Sequence, residues 1–161
     1  MREPATPAIE AIRKAGVRHR VVQTEPAGSA EESAALQGIE LGALLRTLVV
    51  RRGESLYLFV LVPGGRRFDW PKLRAHLGVS RLSMPDAEEA KAVTGYERGA
   101  ITPFGATRAW PVLIDTAALG QPVVAIGGGA RGVNVHLAPD DLVRAVDAEV
   151  VDVSVTHPAP G

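Results

Sequence analysis

The 161-residue sequence has no cysteine, only 4% aromatic residues and no net charge, 18 basic side chains standing against 18 acidic ones. The missing cysteine excludes thiol nucleophiles, thiolate zinc sites, iron–sulfur clusters and a disulfide framework. His19, His76, His136 and His157 are scattered, with no H-x-x-x-H spacing, and give no basis for a transition-metal site. The longest unbroken apolar run, Leu56 to Val62, is far short of the roughly 20 residues a membrane-spanning helix requires. Met1-Arg2-Glu3-Pro4 has no apolar segment of the secretion-signal kind. The expectation is a soluble cytoplasmic protein with no cofactor, metal or membrane partner. At this length folding buries roughly two-thirds of the surface an unfolded chain exposes, enough for one core. With no internal repeat or long linker, residues 1–161 are expected to form a single domain with a frayed tail over 156–161.

What is present is unevenly distributed. Residues 1–81 carry 13 basic and 8 acidic side chains, a net of +5, and residues 82–161 carry 5 and 10, a net of −5. Within 46–81, Arg46, Arg51, Arg52, Arg66, Arg67, Lys72, Arg74 and Arg81 face only Glu54 and Asp69. Such a footprint suits a phosphate backbone. A solvated face in an arginine-biased composition, 15 of the 18 basic residues being Arg, is the competing explanation.

Helix and strand signals alternate irregularly. Thr6-Pro7, then Ile9 and Ile12 before Gly16, predicts a short helix with an N-cap and a glycine stop. Val17 to Gln23 predicts a strand, and Ser29 to Glu32 a capping box opening a helix to Gln37. Arg46 to Arg52 and Ser55 to Val62 predict a hairpin, followed by a short strand over Arg66 to Trp70. Helices are expected from Pro71 to Gly78, Asp86 to Thr94 and Asp140 to Val146. Strands are expected over Pro111 to Asp115, Pro122 to Ile126, Val133 to Leu137 and Glu149 to Val155. Paired strands with interspersed helices indicate a mixed α/β fold, either a largely antiparallel mixed sheet or a partly closed barrel with flanking helices. Between Gly95 and Pro111 the periodicity lapses, and a loop of that length in a compact fold is usually functional.

Gly127-Gly128-Gly129-Ala130-Arg131-Gly132 satisfies G-x-G-x-x-G, yet Val133 to Leu137 alternates as a strand where a dinucleotide fingerprint requires a helix. The glycines therefore read as a strand-to-strand turn, either purely structural or presenting backbone N–H groups to a ligand. An NAD-type oxidoreductase would rest on this run alone. No serine occupies a G-x-S-x-G elbow. The acid pairs Glu31-Glu32, Glu88-Glu89 and Asp140-Asp141 fall in first turns of expected helices and read as dipole partners. Asp115, at the end of an apolar strand, is either a site carboxylate or a cap for the turn after it. Arg46 starts a strand, where its fork of donors suits a phosphate or carbonyl oxygen.

Taken in order, these segments resemble the YbaK-like aminoacyl-tRNA deacylases, relatives of the editing domain of prolyl-tRNA synthetase. The carriers are Thr6-Pro7-Ala8, Leu44 to Val50, the loop Gly95 to Gly105, Val112-Leu113-Ile114-Asp115, Gly128 to Gly132, and Pro139-Asp140-Asp141-Leu142. Gly99-Ala100-Ile101-Thr102-Pro103 matches the family's G-x-x-x-P signature, the most specific piece. The family usually has lysine where this sequence has Arg46, before Thr47-Leu48, and a planar fork does not replace a compact ammonium conservatively.

The resemblance implies trans-editing: hydrolysis of the ester joining a wrong small amino acid, alanine, serine, threonine or cysteine, to the 3′-terminal adenosine of a tRNA. An activated ester needs only an oriented water and a stabilised oxyanion, with the terminal ribose hydroxyl assisting. It further implies Gly99, Arg46 and Asp115 as catalytic residues. Ala100, Ile101, Thr102, Pro103, Thr47, Gly127, Gly128 and Gly129 would bind substrate. The implied partners are the aminoacylated tRNA 3′ end and an aminoacyl-tRNA synthetase. The arginine in place of lysine motivates an alternative, a catalytically silent domain that binds tRNA ends or an aminoacyl ligand.

Overall fold

The structure, a computed structural model, describes residues 4–156. Among these, the elements run α1 (Pro7–Lys14), β1 (Arg20–Gln23), α2 (Ala30–Gln37), β2 (Leu45–Gly53), β3 (Leu56–Pro63), β4 (Arg66–Phe68), α3 (Trp70–Leu77), α4 (Ala87–Thr94), β5 (Val112–Asp115), β6 (Val124–Gly127), β7 (Val133–Leu137), α5 (Pro139–Val146), β8 (Glu149–Val151) and β9 (Ser154–Thr156). The helices start where the sequence offers caps. The side chains of Thr6, Ser29, Asp69 and Asp86 accept from the backbone N–H of Ile9, Glu32, Lys72 and Glu89, respectively.

β1, β7 and β6 form an antiparallel sheet in the order β1-β7-β6. A second sheet, β2-β3-β5-β8, joins an antiparallel hairpin to two parallel pairs, and β4 pairs with β9. A parallel bridge between Leu44 and Ala125 connects the first two sheets beside β2 and β6. The fold is thus mixed α/β, largely antiparallel, with open sheets rather than a barrel.

Several expected boundaries move, β6 among them to Val124–Gly127, and three have a clear local reason. β1 begins only at Arg20, opposite His136, because the Val17 N–H bonds the Ile12 carbonyl and completes the α1 exit. Trp70 belongs to α3, since Asp69 caps a helix rather than extending the strand. The expected strand over Glu149 to Val155 is two strands, because the Val153 N–H turns aside to Asp115. Thr156 pairs with Arg66 in the β4–β9 ladder, whereas 157–161, the rest of the expected frayed tail, lie outside the described residues.

β3 organises the interior because its two faces enter two different cores. Tyr57, Phe59 and Leu61 join α1, Ile114, Val124, Ile126 and Leu142 on one side. Leu58, Val60 and Val62 join Leu73, Leu113 and Val153 on the other. The strict period of two explains why β3 reads as a continuous apolar run instead of an alternating one. Full burial of each of these side chains contributes about 1.5–3 kcal/mol.

Candidate functional site

A cavity of about 680 Å³ opens where β2, the N-terminal end of α2, the 96–104 loop and the β6–β7 turn converge. Arg46 and Thr47 line it from β2; Ser29 and Ser33 line it from α2. Arg98, Gly99 and Ile101 contribute the loop wall, and Gly127, Arg131 and Asn134 the wall from β6, the turn and β7.

The loop is fixed from behind. Tyr96 is buried, and its hydroxyl donates to the Phe104 carbonyl at 2.7 Å, tying the two ends together. Burial pushes its pKa up to about 12, so the phenol stays a donor. Arg98 donates to the Pro85 carbonyl at 2.8 Å, and the Ala100 N–H bonds the Glu97 carbonyl at 2.9 Å. Gly99 stands between them at φ +90°, where a Cβ would meet only Arg131 Nε, at 3.8 Å. The restriction to glycine there comes from the backbone angle rather than from crowding. The N–H groups of Gly99 and Ile101 have no intramolecular partner among the described residues.

The glycine turn divides its tasks. A Cβ on Gly127 would lie 3.2 Å from the Ile101 carbonyl oxygen, so glycine lets the turn and the loop touch. Gly128 and Gly129 face away from the cavity. The Gly128 carbonyl accepts from the Thr6 hydroxyl at 2.6 Å, and Gly129 packs against Thr6, Ala8 and Tyr96. Gly132, at φ +76°, brings its carbonyl 2.8 Å from the Thr24 N–H, which pins the segment leading to α2. The chain then continues directly into β7 with no helix, which removes the geometry of a dinucleotide fingerprint.

Of the residues predicted from sequence, Arg46, Thr47, Gly99, Ile101 and Gly127 meet at the cavity. Ala100 and Thr102 are buried behind it, and Thr102 Oγ1 accepts from the Phe104 N–H. Pro103, Gly128 and Gly129 are absent from its walls. Asp115 is also elsewhere. It is 1% exposed, accepts from the Val153 N–H, the Ser154 hydroxyl and the Ala117 N–H, and lies 3.6 Å from Arg66 Nε. An aspartate so enclosed is an anchor for β9 and a cap for the turn at Thr116. It reaches the cavity only indirectly, because the carbonyl of Arg66 accepts from Arg46 Nη2 at 3.0 Å.

One wall group stands out chemically: Thr47 Oγ1 is buried and has no hydrogen-bond partner. Buried hydroxyls are nearly always satisfied, so this one, shielded behind the cavity wall, is an exception.

The sequence profile of the aminoacyl-tRNA editing domain matches residues 24–145, which include the whole cavity. The chain belongs to the aminoacyl-tRNA editing domain family. It is 27% identical over 126 residues to a candidate Cys-tRNA(Pro)/Cys-tRNA(Cys) deacylase, EbsC, of Enterococcus faecalis, covering 78% of this chain and 77% of that one. It is 25% identical over 148 residues to the multifunctional Ser/Thr-tRNA deacylase ProXp-y of Escherichia coli, covering 89% of each. A proline–tRNA ligase of Thermosipho melanesiensis shares 29% identity over 143 residues, 87% of this chain and 25% of the ligase. A solved structure of a candidate trans-editing enzyme for prolyl-tRNA synthetase superposes with a TM-score of 0.85 at 28% identity, covering 95% of this chain and 99% of that one.

In this editing domain, sequence reasoning missed Arg98, Arg131, Asn134 and the α2 edge at Ser29 and Ser33. Arg131 had a legible signal, since a charged side chain inside a glycine turn has no packing reason to be there. Ser33 and Asn134 had none, because only the tertiary fold brings their elements to the loop.

Proposed function

We propose that this chain is a trans-acting deacylase that hydrolyses the ester of a wrong small amino acid on the 3′-terminal adenosine of a tRNA. The observation that carries this reading is the convergence of Arg46, Thr47, Gly99 and Ile101 on one cavity, where the N–H groups of Gly99 and Ile101 have no partner among the described residues. The N–H groups of Gly99 and Ile101 receive the oxyanion that develops as water adds to the ester carbonyl, an effect typically worth roughly 3 to 4 kcal/mol per donor. Arg46 holds the terminal phosphate or the carbonyl oxygen through the part of its fork not given to Arg66. The ribose hydroxyl of the substrate assists the water, so the reaction requires no protein nucleophile. Ile101 narrows the space for the side chain, and the names of the Ser/Thr and Cys-tRNA deacylase relatives support serine, threonine or cysteine beside alanine. Rejection of one methylene by a synthetase is worth only roughly 1 to 3 kcal/mol, the reason proofreading is needed.

The test is release of amino acid from a panel of Ala-, Ser-, Thr- and Cys-charged tRNAs by the purified protein. Hydrolysis of at least one ester, lost in Gly99→Val with cooperative melting retained at a lower midpoint and reduced in Arg46→Ala without change in melting, is the expected result. Rates equal to spontaneous hydrolysis for all four, with the charged end still bound, would instead establish the silent binding domain that the Arg46 departure suggests.

A further inference from the structure

Beside the cavity lies a second, shallower chamber of about 460 Å³. Ala30, Arg46, Leu48 and Met84 belong to both walls, so the two form one trough with Arg46 between them. The second chamber contains chemistry the first lacks. Of the seven aromatic residues in the sequence, Tyr57, Phe59, Tyr96, Phe104 and Trp110 are buried. The remaining two, Phe68 and Trp70, are partly exposed and line this chamber together, their rings edge to face at 4.8 Å. They sit at the end of β4 and the start of α3, with Asp69 between them capping the helix, which fixes both against the second core.

Arginines flank the rings. Arg66 donates through Nε to the Ser154 hydroxyl at 2.6 Å and lies 3.6 Å from Asp115, so its charge is already offset. The next residue, Arg67, is exposed, and its guanidinium has no hydrogen bond or ion pair among the described residues. Glu31 is the one acid on this wall; a carboxylate there suits the amino group of a base rather than a phosphate. Two partly exposed rings, two arginines, Arg46 and Arg67, on the same lining and an opening onto the cavity for a terminal adenosine are what a single-stranded nucleotide requires.

We propose that this chamber is a subsite for the nucleotide preceding the terminal adenosine. Its base lies against Trp70 and Phe68, and the phosphates on either side of it contact Arg46 and Arg67. This rests on the deacylase reading and extends it from an aminoacyl-adenosine pocket to a dinucleotide-length groove. The groove also accounts for part of the basic span 46–81, since Arg46 and Arg67 meet here while Lys72 is held by Asp152 and Arg51 lies 3.9 Å from Glu89.

The experiment measures binding, so it does not depend on hydrolysis. The probe is a short, fluorescently labelled single-stranded RNA ending in CCA, with alanine joined to its 3′ end by an amide in place of the ester. Its comparison probe has an abasic ribose at the penultimate position. The wild-type protein is expected to bind the intact probe roughly tenfold more tightly. Trp70→Leu should abolish that ratio. Arg67→Ala, at an exposed position where misfolding is not a concern, should weaken both probes alike and flatten the salt dependence, as loss of a phosphate contact does. Equal affinities for the two probes in the wild type, no binding of either, or a base preference that survives Trp70→Leu would overturn the subsite. Failure of the deacylase reading is separable: it is absence of ester hydrolysis while the base preference persists.

Discussion

Thr47 and Asp115 are both polar and both deeply placed, but their partners differ, and that difference sorts their roles. Thr47 Oγ1 has no partner, and an unsatisfied buried hydroxyl costs about 1–3 kcal/mol. Thr47→Val removes that cost with almost no change in volume. The variant is expected to be more stable by about 1 kcal/mol in urea denaturation. Asp115 has the opposite profile, with three hydrogen bonds to its carboxylate and Arg66 alongside. Asp115→Ala leaves Arg66 without its counter-charge and should cost about 3 kcal/mol of stability, read as a lower denaturation midpoint. A catalytic carboxylate would instead lose activity at unchanged melting.

At the level of elements, the side chain that caps α1 also ties it by a hydrogen bond to the glycine turn. The Thr6 hydroxyl caps the helix by accepting from the Ile9 N–H at 3.1 Å and donates to the Gly128 carbonyl at 2.6 Å. Thr6→Val abolishes both and should lower stability by about 2 kcal/mol, one part from the lost cap and one from an orphaned carbonyl; Thr6→Ser should restore most of it in the same denaturation experiment. The helix itself was legible in the sequence from Thr6, Pro7 and Gly16, and so were α2 and α4 from Ser29 and Asp86, because caps are local chemistry. The hairpin of β2 and β3 was legible from its composition. The two-strand end of the chain was not, since Val153 breaks the strand only by bonding a carboxylate 38 residues earlier. The site divides in the same way. Gly99, Ile101, Arg46 and Thr47 stand in short motifs, whereas the faces of Gly128 and Gly129 are decided by α1 packing from the far end of the sequence.

Across the whole molecule, the net charge of zero conceals one pH-sensitive junction. His136 lies opposite Arg20 in the β1–β7 ladder and donates through Nε2 to Gln37 at 2.9 Å; Gln37 in turn donates to Ser33 on the cavity wall. Burial, with the Arg20 charge adding to it, lowers the His136 pKa below 6.5. The folded protein therefore binds fewer protons than the unfolded chain between that lowered value and 6.5, and stability must fall as pH drops through this window. A melting series from pH 7.5 downward should show a decline that starts near 6.5 and levels off below the lowered pKa, and His136→Gln should flatten it. Asp152, whose pKa is lowered chiefly by its hydrogen bond from Lys72, acts in a separate window, its stabilisation present above 3.8 and lost as pH falls below it.

The long reach of the site's fastenings also sets when the site can exist. Thr6 bonds a carbonyl 122 residues away, Arg66 bonds a serine 88 residues away, and β8 and β9 complete ladders begun by β5 and β4. Contacts so distant in sequence give slow folding, because loop closure precedes any reward. On the ribosome, β3 is made early with both its apolar faces uncovered, and Val153 and Ser154 must emerge before Asp115 gains its two partners from the β9 end. During synthesis β3 therefore stands exposed as an aggregation-prone strand, and the β9 end of the fold closes on Asp115 only once Val153 and Ser154 have been made.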